Sequence, residues 1–162
     1  MKLITCPTSY TRETLSDIIV FLGGGISNCP NWQLDMIDLL TCADDSLVLV
    51  NPRRDSFDIT DETASDFQIK WEFKHLSASD AILFWFPCET LCPITLYELG
   101  AAAHRGNPIF VGCHPDYARR FDVATQLSLV RPDIKVRATL EHVSADVLDW
   151  HAAVKSCFSS TT

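Results

Sequence analysis

The chain has no apolar run that approaches the ~18 residues of a membrane span. Its start, Met1-Lys2-Leu3-Ile4-Thr5-Cys6, lacks the apolar stretch of a secretory signal. Basic residues are scarce: 13 Lys and Arg against 21 Asp and Glu give a formal net charge of −8. That excludes the basic footprint a nucleic acid polymer requires, but not a small ligand held by local contacts. The seven cysteines include no Cys-x-x-Cys pair; Cys88 and Cys92 stand four apart, with His104, Cys113 and His114 elsewhere. An odd count without a secretion signal predicts reduced thiols in a cytoplasm, most of them small core residues, and no metal site. Repeats, low-complexity tracts and linkers are missing as well.

What is present suits one domain spanning 1–162, with 158–162 as a frayed tail: 47% of the 162 residues are hydrophobic. A domain of this size buries roughly 70% of its unfolded surface and needs neither disulfide nor metal to hold its core. Short apolar or β-branched runs alternate with helical stretches. Strands are expected at 17–22, 46–51, 81–86, 108–112 and 135–138, and helices at 31–41, 67–79, 93–105, 118–129 and 144–157. Pro93 suits the first position of its helix, Gly106 its end, and Ser144 the N-cap of the last helix. Met1–Cys6 reads as an extra strand or an arm, and 52–66 as a polar loop. Continuous apolar strands separated by helices predict an α/β fold: a doubly wound, mostly parallel five-stranded sheet with helices on both faces, flavodoxin-like or Rossmann-like. Such sheets bind ligands at the carboxyl ends of their strands, which directs attention to the loops 23–30, 51–66 and 87–93.

The first loop, Gly23-Gly24-Gly25-Ile26-Ser27-Asn28, joins a strand to a helix, where glycines let a ligand approach the backbone. It is not the dinucleotide fingerprint, because Asn28 stands where the last glycine would be, nor a phosphate loop, because no Lys-Ser/Thr pair follows. In the second loop, Arg53 and Arg54 suit either a phosphate or surface ion pairs, and Asp55 suits a base or sugar hydroxyl. On the 67–79 helix, Ile69, Phe73 and Leu76 share one face, which predicts burial of that stripe. Glu72 falls at its edge, turned partly toward the sheet or paired with Lys70, Lys74 or His75. Trp71 lies on the opposite arc, as a subunit contact or an aromatic wall. Asp80 suits a structural turn.

The third loop and its helix run Phe84-Trp85-Phe86-Pro87-Cys88-Glu89-Thr90-Leu91-Cys92-Pro93 and on to Glu98-Leu99-Gly100. Leu96, Leu99 and Ala103 form the packed stripe, and Glu98 points away from it. Near the helix N-terminus the macrodipole is expected to hold Glu98 ionised, as a glycosyl nucleophile requires. An ordinary exposed helical glutamate competes with that reading on the residues alone. Gly100 and the alanines after it predict close packing with a neighbouring helix.

Together these segments resemble the nucleoside 2-deoxyribosyltransferase superfamily, in its nucleoside 2-deoxyribosyltransferase-like branch, over roughly residues 18–130. The resemblance rests on Phe21-Leu22-Gly23-Gly24-Gly25-Ile26, on Asn51-Pro52-Arg53-Arg54, on Glu72 eight residues before Asp80, and on Tyr97-Glu98-Leu99-Gly100. It departs from the family where Glu72 replaces the usual Asp, and where Cys92 offers no carboxylate ahead of the nucleophile, leaving Glu89 as the nearest substitute. The resemblance implies a retaining transfer without a cofactor. Glu98 takes the sugar of a 2′-deoxynucleoside as the base leaves, and a second base, or water, then accepts it. Glu72 binds sugar hydroxyls, orients Glu98 or relays a proton. Asp55 and Glu89 contact sugar or base, Trp85 and Phe86 wall the base, and the turn Gly23–Ser27 holds the 5′ end. The alternatives are a hydrolase of 2′-deoxynucleoside 5′-monophosphates, a non-catalytic nucleotide-binding module and, more distantly, an NAD-type glycohydrolase. The resemblance further implies a homo-oligomer, with Trp71 and Tyr117–Gln126 as contact candidates.

Overall fold

A computed structural model describes residues 1–54 and 61–159. After the strand β1 (Lys2–Thr5), the chain alternates strictly: β2 (Ile18–Gly24), α1 (Trp32–Leu39), β3 (Leu47–Asn51), α2 (Glu62–Ala78), β4 (Ala81–Phe86) and α3 (Pro93–Ala103). It continues through β5 (Ile109–Cys113), α4 (Arg120–Val130), β6 (Val136–Arg137) and α5 (Leu140–Ser159). The sheet order is β1-β3-β2-β4-β5-β6, and every pairing is parallel. Without β1 the order is the flavodoxin-like one, with its switch point between β2 and β4.

The sheet therefore has six strands rather than five. Lys2–Thr5 carries only a partly buried pattern, because as an edge strand it has one neighbour, β3. Alternate side chains divide the core into two layers. Ile19, Phe21, Val48, Val50, Phe84 and Phe86 face one side, and Val20, Leu22, Leu47, Leu49, Leu83 and Trp85 face the other. Each fully buried large apolar side chain contributes about 1.5–3 kcal/mol, so the central strands dominate stability.

Helix α2 differs from its expected form in length and in orientation. It starts at Glu62, not Phe67, because the Asp61 carboxylate accepts the N–H groups of Thr63 and Ala64 as an N-cap. Of its expected apolar stripe, Ile69 and Phe73 face outward, 65% and 66% exposed, and Leu76 packs partly buried against the core, while Gln68, Trp71 and His75 are buried. The buried face is polar because the segment 6–17 packs against it and supplies partners. Trp71 Nε1 donates to the Thr8 carbonyl, and the Tyr10 N–H donates to His75 Nε2. His75 Nδ1 in turn donates to the Trp71 carbonyl, which fixes the neutral tautomer. Trp71 is thus an interior residue, stacked on His75 and 3% exposed; it is not free to meet another subunit.

Helix α5 begins at Leu140, four residues before the expected cap. Thr139 Oγ1 accepts the His142 N–H, and Ser144 is buried inside the helix with its hydroxyl on the Glu141 carbonyl. Gly100 is exposed and makes no close approach: a Cβ there would meet nothing within 4 Å. Gly106 adopts φ 77° just beyond α3, the left-handed geometry expected where that helix stops.

The segment 6–17 is anchored by Asp17, whose carboxylate accepts from the Tyr10 hydroxyl (2.5 Å), from the Thr14 hydroxyl (2.7 Å), and from the N–H groups of Glu13 and Thr14. The bonds from Tyr10 and Thr14 hold this carboxyl well below the usual range. A depressed folded-state value stabilises the fold above the ordinary Asp range of about 4, and that stabilisation is lost as pH falls below it. Thermal melts between pH 5 and 3 should therefore show a shallower decline for Asp17→Asn than for the parent. Equal slopes would remove Asp17 as the acid-sensitive anchor.

Candidate active site

The carboxyl ends of β2 and β4 lie side by side, with Gly23 opposite Phe84 and Gly24 opposite Trp85. Gly24 has no room for a side chain: a Cβ would sit 2.5 Å from the Trp85 carbonyl oxygen and closer still to the Trp32 ring. The turn that follows is held from three directions. Trp32 Nε1 donates to the Gly25 carbonyl (2.8 Å), and Gln33 Nε2 reaches the same oxygen. Arg53 donates to the carbonyls of Cys29 (3.1 Å) and Pro30 (2.8 Å) and to Gln33 Oε1 (3.0 Å). Arg53 is thus a staple between β3 and the glycine loop, neither a solvated charge nor a group held ready for phosphate.

Over this switch point opens a cavity of about 280 Å³. Gly23, Gly24, Gly25, Ile26 and Ser27 line one wall, Glu72 and Gln68 come from α2, and Ile94, Thr95 and Glu98 come from α3. Pro52 and Arg54 border it at the exit of β3, and Thr90 and Cys92 at the exit of β4. Seven of the residues expected at a site therefore converge here: the five of the glycine turn, Glu72 and Glu98.

Phe86 does not join them. It is fully buried in the layer beneath α3 and packs on Tyr117 at 5.2 Å, because its position in β4 shares the face of Phe84. Glu89 sits exposed in the loop after β4, outside the cavity lining, and Asp55 lies outside the described residues.

The electrostatics of the two carboxylates differ from the simple helix picture. Burial first, and the charge of Glu72 second, push Glu98 up to about 7. Glu98 stands at the sixth position of α3, beyond the first turn where the macrodipole acts, so desolvation outweighs it. Glu72 is also raised by burial, but a 2.7 Å hydrogen bond from Gln68 opposes that rise. The cavity thus holds two interacting carboxyl groups in different environments, an arrangement suited to one nucleophile and one proton carrier.

The thiols are poor nucleophiles by comparison. Cys92 and Cys113 are each pushed up to about 12 by burial, which leaves almost no thiolate near neutral pH. Among the described residues no group of three His, Cys, Asp or Glu side chains is placed to hold a metal ion. Gln68 was not among the residues that the sequence singled out, although its i,i+4 spacing from Glu72 was a readable signal.

The family model described as nucleoside 2-deoxyribosyltransferase like matches residues 17–117. The chain belongs to this family. No curated protein matches it. In this nucleoside 2-deoxyribosyltransferase-like chain, the matched region contains every residue that lines the cavity, from Phe21 to Glu98. Strands β1 and β6, helices α4 and α5 and most of the segment that anchors α2 lie outside it. No helix among the described residues is long and apolar enough to cross a membrane.

Proposed function

We propose that the protein cleaves the N-glycosidic bond of a 2′-deoxynucleoside and passes the sugar to another base through a deoxyribosyl ester on Glu98. The observation that carries this reading is the convergence of Glu72 and Glu98 on one cavity at the switch point, with burial acting on both. The two carboxyls share one proton, which Glu98 passes to Glu72; Glu98, now ionised, attacks the anomeric carbon. The C–N electron pair leaves with the base, which takes a proton from Glu72. An acceptor base then attacks the same carbon, Glu98 departs as carboxylate, and Glu72 recovers a proton. Two displacements retain configuration. A 2′-deoxy sugar suits this path because it lacks the electron-withdrawing hydroxyl that would oppose charge at the anomeric carbon.

The sign of the pH dependence follows from Glu98. Its carboxyl is neutral below about 7, so for bases that leave without protonation the rate of sugar transfer to the enzyme should rise as pH climbs through that value, while for poor leaving bases, which need the shared proton on Glu72, it should fall. The deciding experiment supplies a 2′-deoxynucleoside with a second free base and follows base exchange, with mass spectrometry of the quenched enzyme. Exchange together with a deoxyribosyl adduct on the peptide containing Glu98 supports the reading. Binding without cleavage under every acceptor condition would favour a non-catalytic module. Glu72→Gln should lower the rate by about 10²–10⁴ for poor leaving bases and by far less for bases that leave without protonation. Equal losses on both would remove the proton relay.

Arg54 at the cavity border favours one second reading, a 5′-monophosphate substrate with water as acceptor. Comparing free-base release with exchange, on nucleosides and on monophosphates, separates the two. The family's homo-oligomeric habit, applied to this chain, would use the exposed apolar residues Ile69 and Phe73 of α2 and Ile94 and Tyr97 of α3, 65% to 78% exposed. Ile94 also lines the cavity, so a second copy seated there would wall the mouth of the site. Sedimentation of the parent and of a Phe73→Lys/Tyr97→Lys double variant tests this assembly. A monomeric parent overturns it.

A further inference from the structure

Gln68 is 8% exposed and uses its whole hydrogen-bonding capacity. Its Oε1 accepts from the Cys6 thiol (3.1 Å) and from Arg54 Nη1 (3.4 Å). Its Nε2 donates to the Pro52 carbonyl (3.0 Å) and to Glu72 Oε1 (2.7 Å). The orientation of the amide is not arbitrary. A guanidinium cannot accept and a backbone carbonyl cannot donate, so Arg54 and Pro52 together dictate which end of the amide is oxygen and which is nitrogen. The nitrogen therefore faces Glu72, and Glu72 Oε1 can only accept.

We propose that Gln68 is a positioning residue for the sugar-transfer reaction, which keeps Glu72 Oε1 proton-free and so restricts the exchangeable proton of Glu72 to Oε2. This rests on the Glu72 and Glu98 roles given under Proposed function. It adds a structural reason for the buried polar face of α2, since a side chain without an amide at 68 would leave Glu72 free to rotate and to hold its proton on either oxygen. It also gives β1 a role at the site. Cys6, just beyond that strand and outside the region matched to the family, donates to the amide oxygen whose placing Arg54 and Pro52 dictate. When the leaving base takes the proton from Oε2, the charge that appears on Glu72 is already met by the Gln68 amide, and no group has to turn.

The test uses Gln68→Met, which keeps length and bulk without the amide, with Gln68→Leu as the substitute if the methionine variant does not fold. Two readouts are taken on the full chain. The first is ¹³C NMR titration of the glutamate carboxyls, assigned with Glu72→Gln and Glu98→Gln. Losing the amide donor should raise the Glu72 midpoint. Because Glu72 then carries less charge at a given pH, the Glu98 midpoint should fall. A merely structural role predicts otherwise, since loosened packing admits water and lowers both midpoints together. The second readout is base exchange. The variant should lose roughly 10- to 100-fold in kcat with KM changed less than about threefold. The same substitution made in Glu72→Gln should cost almost nothing further. Midpoints that both fall or both stay, or an equal kcat loss in the two backgrounds, overturn the proposal. A parent with no exchange or base release overturns the function of the site, while the opposed movement of the two NMR midpoints still decides whether Gln68 controls Glu72.

Discussion

Glu98→Gln is expected to abolish sugar transfer and, at the same time, to stabilise the protein at alkaline pH. Removing the proposed covalent nucleophile would leave only binding and orientation, so kcat/KM should fall on the order of 10⁴-fold or more. The stability effect follows from linkage. In the folded chain this carboxyl is raised to about 7, whereas in the unfolded chain it has an ordinary value near ~4.3. Between those values the folded state holds the extra proton, so stability declines as pH rises through the window and the full cost is present above it. A tenfold change in proton affinity corresponds to ~1.4 kcal/mol; with Glu98 half-buried rather than sealed, the cost is about 1–3 kcal/mol. Glutamine keeps the shape and removes the charge. The variant should therefore melt about 2–8 °C higher than the parent at pH 8 and within a degree or so of it near pH 4. A gain of equal size at both values would assign the effect to packing, and full transfer activity in the variant would end the nucleophile assignment.

Gly24→Ala should cost about 3 kcal/mol or more, enough to leave a small protein largely unfolded or poorly accumulated. The added Cβ would lie 2.5 Å from the Trp85 carbonyl oxygen, which belongs to the backbone of the adjacent strand and cannot rotate away. The Trp32 ring, which blocks the same space, is tied to the Gly25 carbonyl and cannot leave without releasing the turn. The contrast is Gly100→Ala, on the exposed face of α3 with nothing within 4 Å of its Cβ, which should gain up to ~1 kcal/mol from helix propensity. Urea unfolding midpoints of the two variants should move in opposite directions. A Gly24→Ala protein as stable as the parent would show that the β2–β4 junction tolerates a wider separation than this geometry allows.

The two glycines show how far residue patterns reach. Gly23-Gly24-Gly25 after an apolar strand signals a close approach, and the turn does line the cavity. Gly100 carries the same residue type and an alanine-rich context, yet it faces solvent. Nothing local separates the two, because what a missing side chain makes room for belongs to another element. Arg53 is similar. Beside Arg54 it reads as one of two surface cations, whereas its actual partners are carbonyls 23 and 24 residues away. Helix α2 misleads most. Ile69, Phe73 and Leu76 are spaced for a core-facing stripe, but only Leu76 packs partly on the core, and the buried positions are Gln68, Trp71 and His75. Periodicity measures how apolar residues cluster around a helix; it does not report that a polar face can be buried once its donors and acceptors are met.

The sequence by itself determined the alternation of strands and helices, the parallel sheet, and the placing of Glu98 and the glycine turn at the carboxyl end of that sheet. These follow from local periodicity and from the right-handed connections that parallel strands require. The tertiary structure decided the rest: the sixth strand, the inward face of α2, and the protonation of Glu98. Each of those depends on what lies across from a residue. An edge strand needs a neighbour, a buried amide needs four partners from three segments, and a carboxyl is raised only when other elements exclude water from around it.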